Sequence, residues 1–497
     1  NQELPIAASD VDCILLTHAH IDHSGLIPLM YVNGFRGQVY STSATAQLCE
    51  IMLRDSAHIQ MFEAEWRNRK AARSGGKLKE FVPLYDMDAA VNVCKQFVGC
   101  EYDRVYDIAE GIKIRFTDVG HLLGSASIEV WATEKTENGD VTEKIVFSGD
   151  IGNINKPIIK DPKHVRDADY VVMESTYGNR SHGGTPNYVE DLTDIFKRTF
   201  ERGGNVVIPS FAVGRTQELL YIIRKIKEDN LVGRDFDVYM DSPLAIEATN
   251  IFIKNVESCF DDEAVELVRK GINPLSFPGL KYATTGDESK QINFDPNPKV
   301  IISSSGMCEA GRIRHHLKHN LWRPECTIVF VGYQAVGTTG RIIVDGAEEI
   351  KLFGEPIQIK AEIVQLKGSS GHADKDGLLC WINAFDTKPK KVFVVHGEDS
   401  VCDEFTECLK EEYGYDAMAP YTGGSYDLIA DRVISEGVKE RKTRRTTSTQ
   451  RGKTVFDRLV AAGKRLMTVI THNEGGTNKD LAKFTDQINA LCDKWDR

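Results

Sequence analysis

His18, His20, Asp22 and His23 place four metal-ligating side chains within six residues, directly after the apolar run Val11 to Leu16. Imidazole nitrogens and carboxylate oxygens at this density predict a metalloenzyme. Side chains two apart in extended backbone point the same way, so His18 and His20 can grip one ion. The turn beyond them swings Asp22 and His23 toward another, and the spacing itself suggests two metals. The run before them has the length and aliphatic content of a strand ending at Thr17, and a helix is expected from Ser24. The ligands would then stand at a strand's C-terminal end and in the turn that follows.

Two further segments repeat that placement. Thr117-Asp118-Val119-Gly120-His121 follows a short alternating strand and offers a third histidine, and Phe147-Ser148-Gly149-Asp150-Ile151-Gly152 follows another strand and offers a carboxylate. Alone, His121 would be structural and Asp150 a turn former or helix cap. Their order and their position at strand ends favour a site.

The segment Thr17-His18-Ala19-His20-Ile21-Asp22-His23 resembles the H-x-H-x-D-H signature of the metallo-β-lactamase superfamily. Val171 to Arg180, Gly368 to Asp374 and Val394 to Glu398 are similar to motifs A, B and C of its β-CASP nucleases. The resemblance implies that His18, His20 and His121 hold a first ion, that Asp22, His23 and His396 hold a second, and that Asp150 bridges them. It makes Glu174 the motif A acid, His372 the motif B histidine and His396 the motif C histidine. Members acting on RNA typically carry histidine at motif C, and the DNA-repair branch typically carries valine, so His396 favours RNA. The family opens with a β-hairpin and a first motif whose aspartate braces the metal loop, and the chain is expected to lack those N-terminal strands.

The chemistry so implied is phosphodiester hydrolysis by two Zn2+ ions, with hydroxide attacking phosphorus in line with the departing oxygen. Asp22, Glu174 and His372 form the expected catalytic set. Asp22 counts also as a ligand, and His372, oriented by Glu174, protonates the leaving ribose oxygen. The rival readings are a DNA nuclease, separated by the motif C histidine, and a noncatalytic RNA-processing scaffold, disfavoured because the motifs from the second onward are kept.

Between Gly178 and Gly354 short apolar strands alternate with helical stretches starting near Thr216, Leu244 and Glu309, the pattern of a doubly wound parallel sheet. Ligands of such sheets bind beyond the strands' C-terminal ends. Ser210, Phe211, Arg215, Ser303, Ser304, Ser305, Tyr333, Thr338 and Arg341 fall there, and Ser370 in motif B. Hydroxyl, guanidinium and backbone N–H donors could cradle phosphates, and Phe211 and Tyr333 could stack on bases, so single-stranded RNA is the expected partner.

The fold class is α/β: an αββα metallo-β-lactamase sandwich carrying an inserted Rossmann-like parallel-sheet β-CASP domain. Residues 1–177 form its first part, 178–354 the cap, 355–432 its second part, and 433–497 a basic linker and helical tail. Helices are expected at Thr454 to Met467 and Thr477 to Trp495. In the latter, Leu481, Phe484, Ile488 and Leu491 recur at helical spacing, a face that docking on the core or a homodimer would use.

With 497 residues, 41% hydrophobic and 27% charged, the chain can bury a sizeable core. The formal charge of -12 excludes a broad nonspecific nucleic-acid coat and leaves binding to local cations. The most basic stretch runs from Lys439 to Arg445. No apolar run spans a bilayer and no signal peptide is visible, so the expected location is cytoplasmic. The 11 cysteines, scattered and without a C-x-x-C pair, agree with reduced thiols.

Overall fold

The computed structural model describes residues 4, 6–73, 81–137, 139–181, 187–366, 371–438, 463, 466–467, 469–471 and 478–495. The chain forms two compact units, residues 1–62 with 82–437, and residues 63–81 with 438–497.

In the first unit, strands Cys13–Leu15, Gln38–Thr42 and Phe97–Cys100 make a three-stranded parallel sheet. It faces a seven-stranded mixed sheet. There an antiparallel meander, Val105–Ala109, Ile112–Asp118, Ala126–Thr136 and Gly139–Phe147, continues in parallel through Tyr170–Met173, Lys391–Val394 and Ala417–Met418. Cys100, Ile114, Phe116, Ala126 and Ile128 are buried between the sheets with Leu15 and Tyr40 packed on them. On the outer face, Val146, Val171, Met173, Val392 and Val394 meet Leu378, Trp381 and Ile382 of helix Lys375–Ile382 and Phe405 and Leu409 of helix Asp399–Glu411. Each such side chain contributes roughly 1.5–3 kcal/mol by leaving water. The arrangement is the αββα sandwich that the motif order implied.

The inserted sheet has six strands, all pairs parallel, in the order Leu280–Tyr282, Asp237–Asp241, Lys299–Ser303, Val206–Pro209, Thr327–Phe330, Glu362–Gln365. Its central strands read Val-Val-Ile-Pro and Lys-Val-Ile-Ile-Ser with every residue buried, because helices cover both faces. The sixth strand, Glu362–Gln365, lies beyond residue 354, where the sequence pattern closed the cap. Glu362 is tied back into it by Arg198 at 2.8 Å and Arg202 at 2.7 Å.

The chain's return to the sandwich sets the site. Val394 pairs with Met173 in parallel register, so the residues following each strand, Glu174 and Val395 to His396, emerge side by side. Ser175 N donates to His396 O at 3.3 Å across 221 positions of sequence.

The metal-ligand loop differs from the expected plain turn. A single helical turn, Ile21–Ser24, precedes a second helix, Ile27–Val32. His20 caps the first turn, the Ser24 hydroxyl donates to the carbonyls of Ala19 at 2.9 Å and His20 at 3.0 Å, and Asp22 in the first turn suits the positive end of the helix. The cap helix expected near Glu309 begins at Ile313, because a hydrogen-bonded loop from Ser304 to Arg312 occupies the residues before it.

In the second unit, the end of helix Ser43–Arg73 brackets Phe81: Asn68 Nδ2 donates to Phe81 O at 2.9 Å, and Phe81 N donates back at 2.8 Å. Helix Asn478–Trp495 keeps Leu481, Phe484 and Ile488 half-buried, while Leu491 is 55% exposed. The basic run Lys439 to Arg445 and nearly all of the helix expected over Thr454 to Met467 lie outside the described residues. Among the described residues no helix is long and apolar enough to cross a membrane.

Candidate metal centre and the cleft beside it

Four ligand atoms converge at the first cluster. His20 Nδ1 lies 3.1 Å from His18 Nε2 and 3.2 Å from His121 Nε2, and Asp150 Oδ2 lies 3.3 Å from His18 Nε2 and 3.5 Å from His121 Nε2. A second cluster shares the same carboxylate. His23 Nε2 is 3.3 Å from Asp150 Oδ1 and 3.1 Å from His396 Nε2, and Asp22 Oδ2 closes the group at 3.5 Å from His396 Nε2. The residues drawn from four separate motifs therefore come together, with Asp150 between the two sets.

The outer contacts fix the rings. The Thr17 hydroxyl lies 3.1 Å from His18 Nδ1, the Gly371 carbonyl 3.1 Å from His121 Nδ1, and the Thr176 hydroxyl 3.2 Å from His396 Nδ1. Each contact leaves Nε2 aimed at the cluster, the arrangement that orients an imidazole for coordination. His396 holds a positive φ of 52°, an uncommon backbone conformation for a residue with a Cβ.

Charge follows the same division. Burial, then repulsion from His18, depresses His20 to about 3. Burial also lowers His18 and drives His121 well below the usual imidazole range. Burial works against charge on Asp150, yet hydrogen bonding to His18 and His23 holds its carboxyl well below the ordinary value. In the second set, hydrogen bonding to Asp22 prevails over burial and lifts His396 to about 9.

The donor set fits metal binding. Neutral imidazole nitrogens packed this closely present lone pairs to one another, and the buried Asp150 Oδ1 has only His23 Nε2, at 3.3 Å, beside it as a donor. Such a carboxylate oxygen is costly unless a cation takes it. Nitrogen-rich ligation with a shared carboxylate suits a divalent transition metal.

Beside the clusters, His372 Nδ1 lies 3.1 and 3.2 Å from the two oxygens of Glu174, and its Nε2 is 3.8 Å from Asp150 Oδ2. Burial disfavours charge on His372, but the Glu174 charge and hydrogen bond outweigh it and raise its proton affinity. Glu174, 1% exposed, is anchored by Ile151 N at 2.6 Å, so the motif A acid also braces the backbone after Asp150.

The family model described as the Beta-Casp domain matches residues 216–343, and that described as the Zn-dependent metallo-hydrolase RNA specificity domain matches residues 356–420. A ribonuclease of Thermus thermophilus is 34% identical over 390 residues, covering 78% of this chain and 82% of that protein. The chain belongs to the β-CASP ribonucleases of the metallo-β-lactamase superfamily. An RNase J-like protein of Methanocaldococcus jannaschii is 31% identical, with 78% and 82% of the two chains covered. A transcription termination factor, FttA of Methanosarcina mazei, is 32% identical over 83% of this chain but only 62% of its own length. As a β-CASP family member the chain is a hydrolytic nuclease, and the second family description adds metal dependence and RNA.

The β-CASP sheet presents its C-terminal edge to this centre. A Cβ placed on Gly214, which precedes helix Arg215–Glu228, would sit 3.0 Å from Leu122, the neighbour of His121. Phe211 is 41% exposed, and its ring rests on Gly306 and Gly332, whose added Cβ atoms would meet it at 3.0 and 3.6 Å. Tyr333 is 42% exposed on the same edge.

The polar residues expected there are largely occupied within the loops. Thr216 donates to the buried Ser210 hydroxyl at 3.1 Å, and Ser303 donates to Asp241 O at 2.8 Å. Ser304 bonds Ser242 at 2.8 Å, Ser305 donates to Ala310 O at 3.4 Å, and Thr338 caps the short helix Thr339–Val344. Arg341 pairs with Asp345 at 2.8 Å, and Arg215 pairs with Glu218. Ser370 lies outside the described residues. His315 and His319 are surface residues, whereas His316 is fully buried and bonds Asp241 at 2.6 Å. Thr17, Thr176 and the Gly371 carbonyl carry no signature in sequence and emerge only from the fold.

Proposed function

We propose that the protein is a zinc-dependent ribonuclease that hydrolyses phosphodiester bonds of single-stranded RNA in the cytoplasm, exo- or endonucleolytically. The observation that carries this reading is Asp150, whose two oxygens face separate three-residue groups, His18, His20 and His121 on one side and Asp22, His23 and His396 on the other. When bound, two zinc ions supply a water activated near neutral pH and neutralise charge on the reacting phosphate.

The chain's own residues do the rest. Asp150 and the six neighbours hold the ions, and the outer contacts of His18, His121 and His396 aim their Nε2 atoms at the clusters, while His20 presents Nδ1. His372, protonated through Glu174, gives its Nε2 proton to the leaving ribose oxygen. Phe211, backed by glycines and partly exposed, offers its ring to a base, and the exposed Tyr333 offers another. Aromatic stacking tolerates any base, which suits a processing nuclease. Cysteines without a disulfide partner support a reducing compartment.

The test is cleavage of a 5′-monophosphorylated single-stranded RNA and the matching DNA by zinc-loaded protein, before and after chelation. RNA-selective, chelator-sensitive cleavage is expected. Equal cleavage of DNA contradicts the substrate assignment, and cleavage that survives chelation contradicts the metal assignment.

A further inference from the structure

One buried cation joins the metal loop to the cap and has no part in the chemistry above. Lys156 stands in the loop after Asp150, with its side chain 10% exposed. Its ammonium donates to the backbone carbonyl of His121 at 3.0 Å and lies 3.1 Å from Glu218 Oε1. Glu218, 6% exposed, belongs to the first turn of cap helix Arg215–Glu228, and its other oxygen receives Arg215.

An ammonium has three donors and no acceptor, so a buried lysine is stable only where its partners are fixed. Here one partner is the main chain of a metal-cluster histidine and the other is a cap carboxylate. The ring of the same histidine is held at Nδ1 by the Gly371 carbonyl. His121 is therefore clamped at both ends, through Lys156 to the cap and through Gly371 to the motif B segment. Gly214, where an added Cβ would come within 3.0 Å of the Leu122 side chain, brings cap backbone close to the same loop.

We infer that Lys156 is a positioning residue that couples the cap, through Glu218, to the placement of His121 in the metal centre. The inference rests on the proposed nuclease reading for its consequence in turnover, but the coupling itself is readable in metal affinity alone. Removing Lys156 leaves Arg215 and Glu218 as a neutral pair, so Lys156→Met, similar in length and apolar, retains the fold. Lys156→Arg keeps donors for both partners. Glu218→Gln alters the clamp from the cap side without touching the metal-ligand loop.

The experiment measures zinc affinity by chelator competition, kcat and KM on single-stranded RNA, and thermal melting for the three variants of the full chain. Lys156→Met is expected to weaken zinc affinity and lower kcat by about 10-fold or more, with KM nearly unchanged, the scale of losing an outer partner of a metal ligand. Lys156→Arg restores most of both, and Glu218→Gln weakens zinc binding in the same direction. Unchanged zinc affinity in Lys156→Met and Glu218→Gln overturns the coupling, even if melting falls. A rise in KM alone also overturns it, since Lys156 then contacts RNA. Wild-type protein without RNA cleavage defeats the function reading and leaves the zinc measurement to decide the coupling.

Discussion

His372 Nδ1 lies 3.1 Å from Glu174 Oε2, and the two residues are 198 positions apart in sequence. Glu174 raises the proton affinity of His372 against the effect of burial. The imidazolium is thus retained to higher pH than an isolated histidine would allow, which is what a general acid on a ribose oxygen requires. Glu174→Gln removes the charge. The expected outcome is a basic limb of the kcat–pH profile displaced to lower pH, with activity at pH 8 falling further than activity at pH 6. A limb that stays in place would show that Glu174 does not set the protonation of His372.

The two ligand sets differ in the protons they must release. His20, at about 3, is neutral at any working pH, and burial keeps His18 and His121 low as well. His396, lifted to about 9 by Asp22, is protonated at pH 7 in the metal-free protein and must lose that proton to bind. Below about pH 9 the affinity of the second site should therefore fall by about tenfold per pH unit, while that of the first stays nearly flat from pH 8 to 6. Zinc titration calorimetry in buffers of different ionisation enthalpy reads the released proton directly. Equal pH dependence at both sites would contradict the division.

Phe211 has one ring edge against Gly306 and Gly332 and is 41% exposed. Base stacking contributes about 1–3 kcal/mol, so Phe211→Ala should raise KM for single-stranded RNA by about tenfold while kcat changes little. Titration of substrate against initial rate decides it, and an unchanged KM removes Phe211 from the RNA path.

How much of this was legible in the sequence depends on distance along the chain. The ligands from His18 to His23 are local, and their spacing alone points to two metals. His121 and Asp150 were recognisable as strand-end residues, and parallel strands in the cap followed from continuous apolar runs. What residue patterns alone do not show is pairing across long separations, which the family resemblance implied. The Met173 to Val394 register that puts His396 beside Glu174 depends on two strands over two hundred residues apart. The serines at 303 to 305 read as phosphate donors because a sequence shows a hydroxyl but not its partner, and the fold commits them to Asp241, Ser242 and Ala310. Lys156 was invisible for the same reason, since nothing beside it in sequence announces a cap carboxylate.

Asp241, fully buried at the end of a cap strand, receives Arg312 at 2.7 Å, His316 at 2.6 Å and Ser289 at 2.5 Å. Asp241→Ala would take the carboxylate from Arg312, which keeps the Ala283 and Thr284 carbonyls, and from His316 Nε2, whose Nδ1 keeps Asn293. A loss of about 1–3 kcal/mol is expected, as for leaving buried polar groups short of one acceptor. Denaturant unfolding measures it, and a loss below about 1 kcal/mol would mean that water replaces the carboxylate.

The central claim is that the metal centre and the His372–Glu174 pair act as separate parts of one ribonuclease. His372→Ala separates them. Zinc content and turnover of single-stranded RNA are measured on the same preparation, beside wild type. The account predicts full zinc occupancy with kcat lowered by about 10²- to 10⁴-fold, the usual contribution of a general acid. Loss of zinc in the variant, or full zinc with undiminished cleavage, would contradict it.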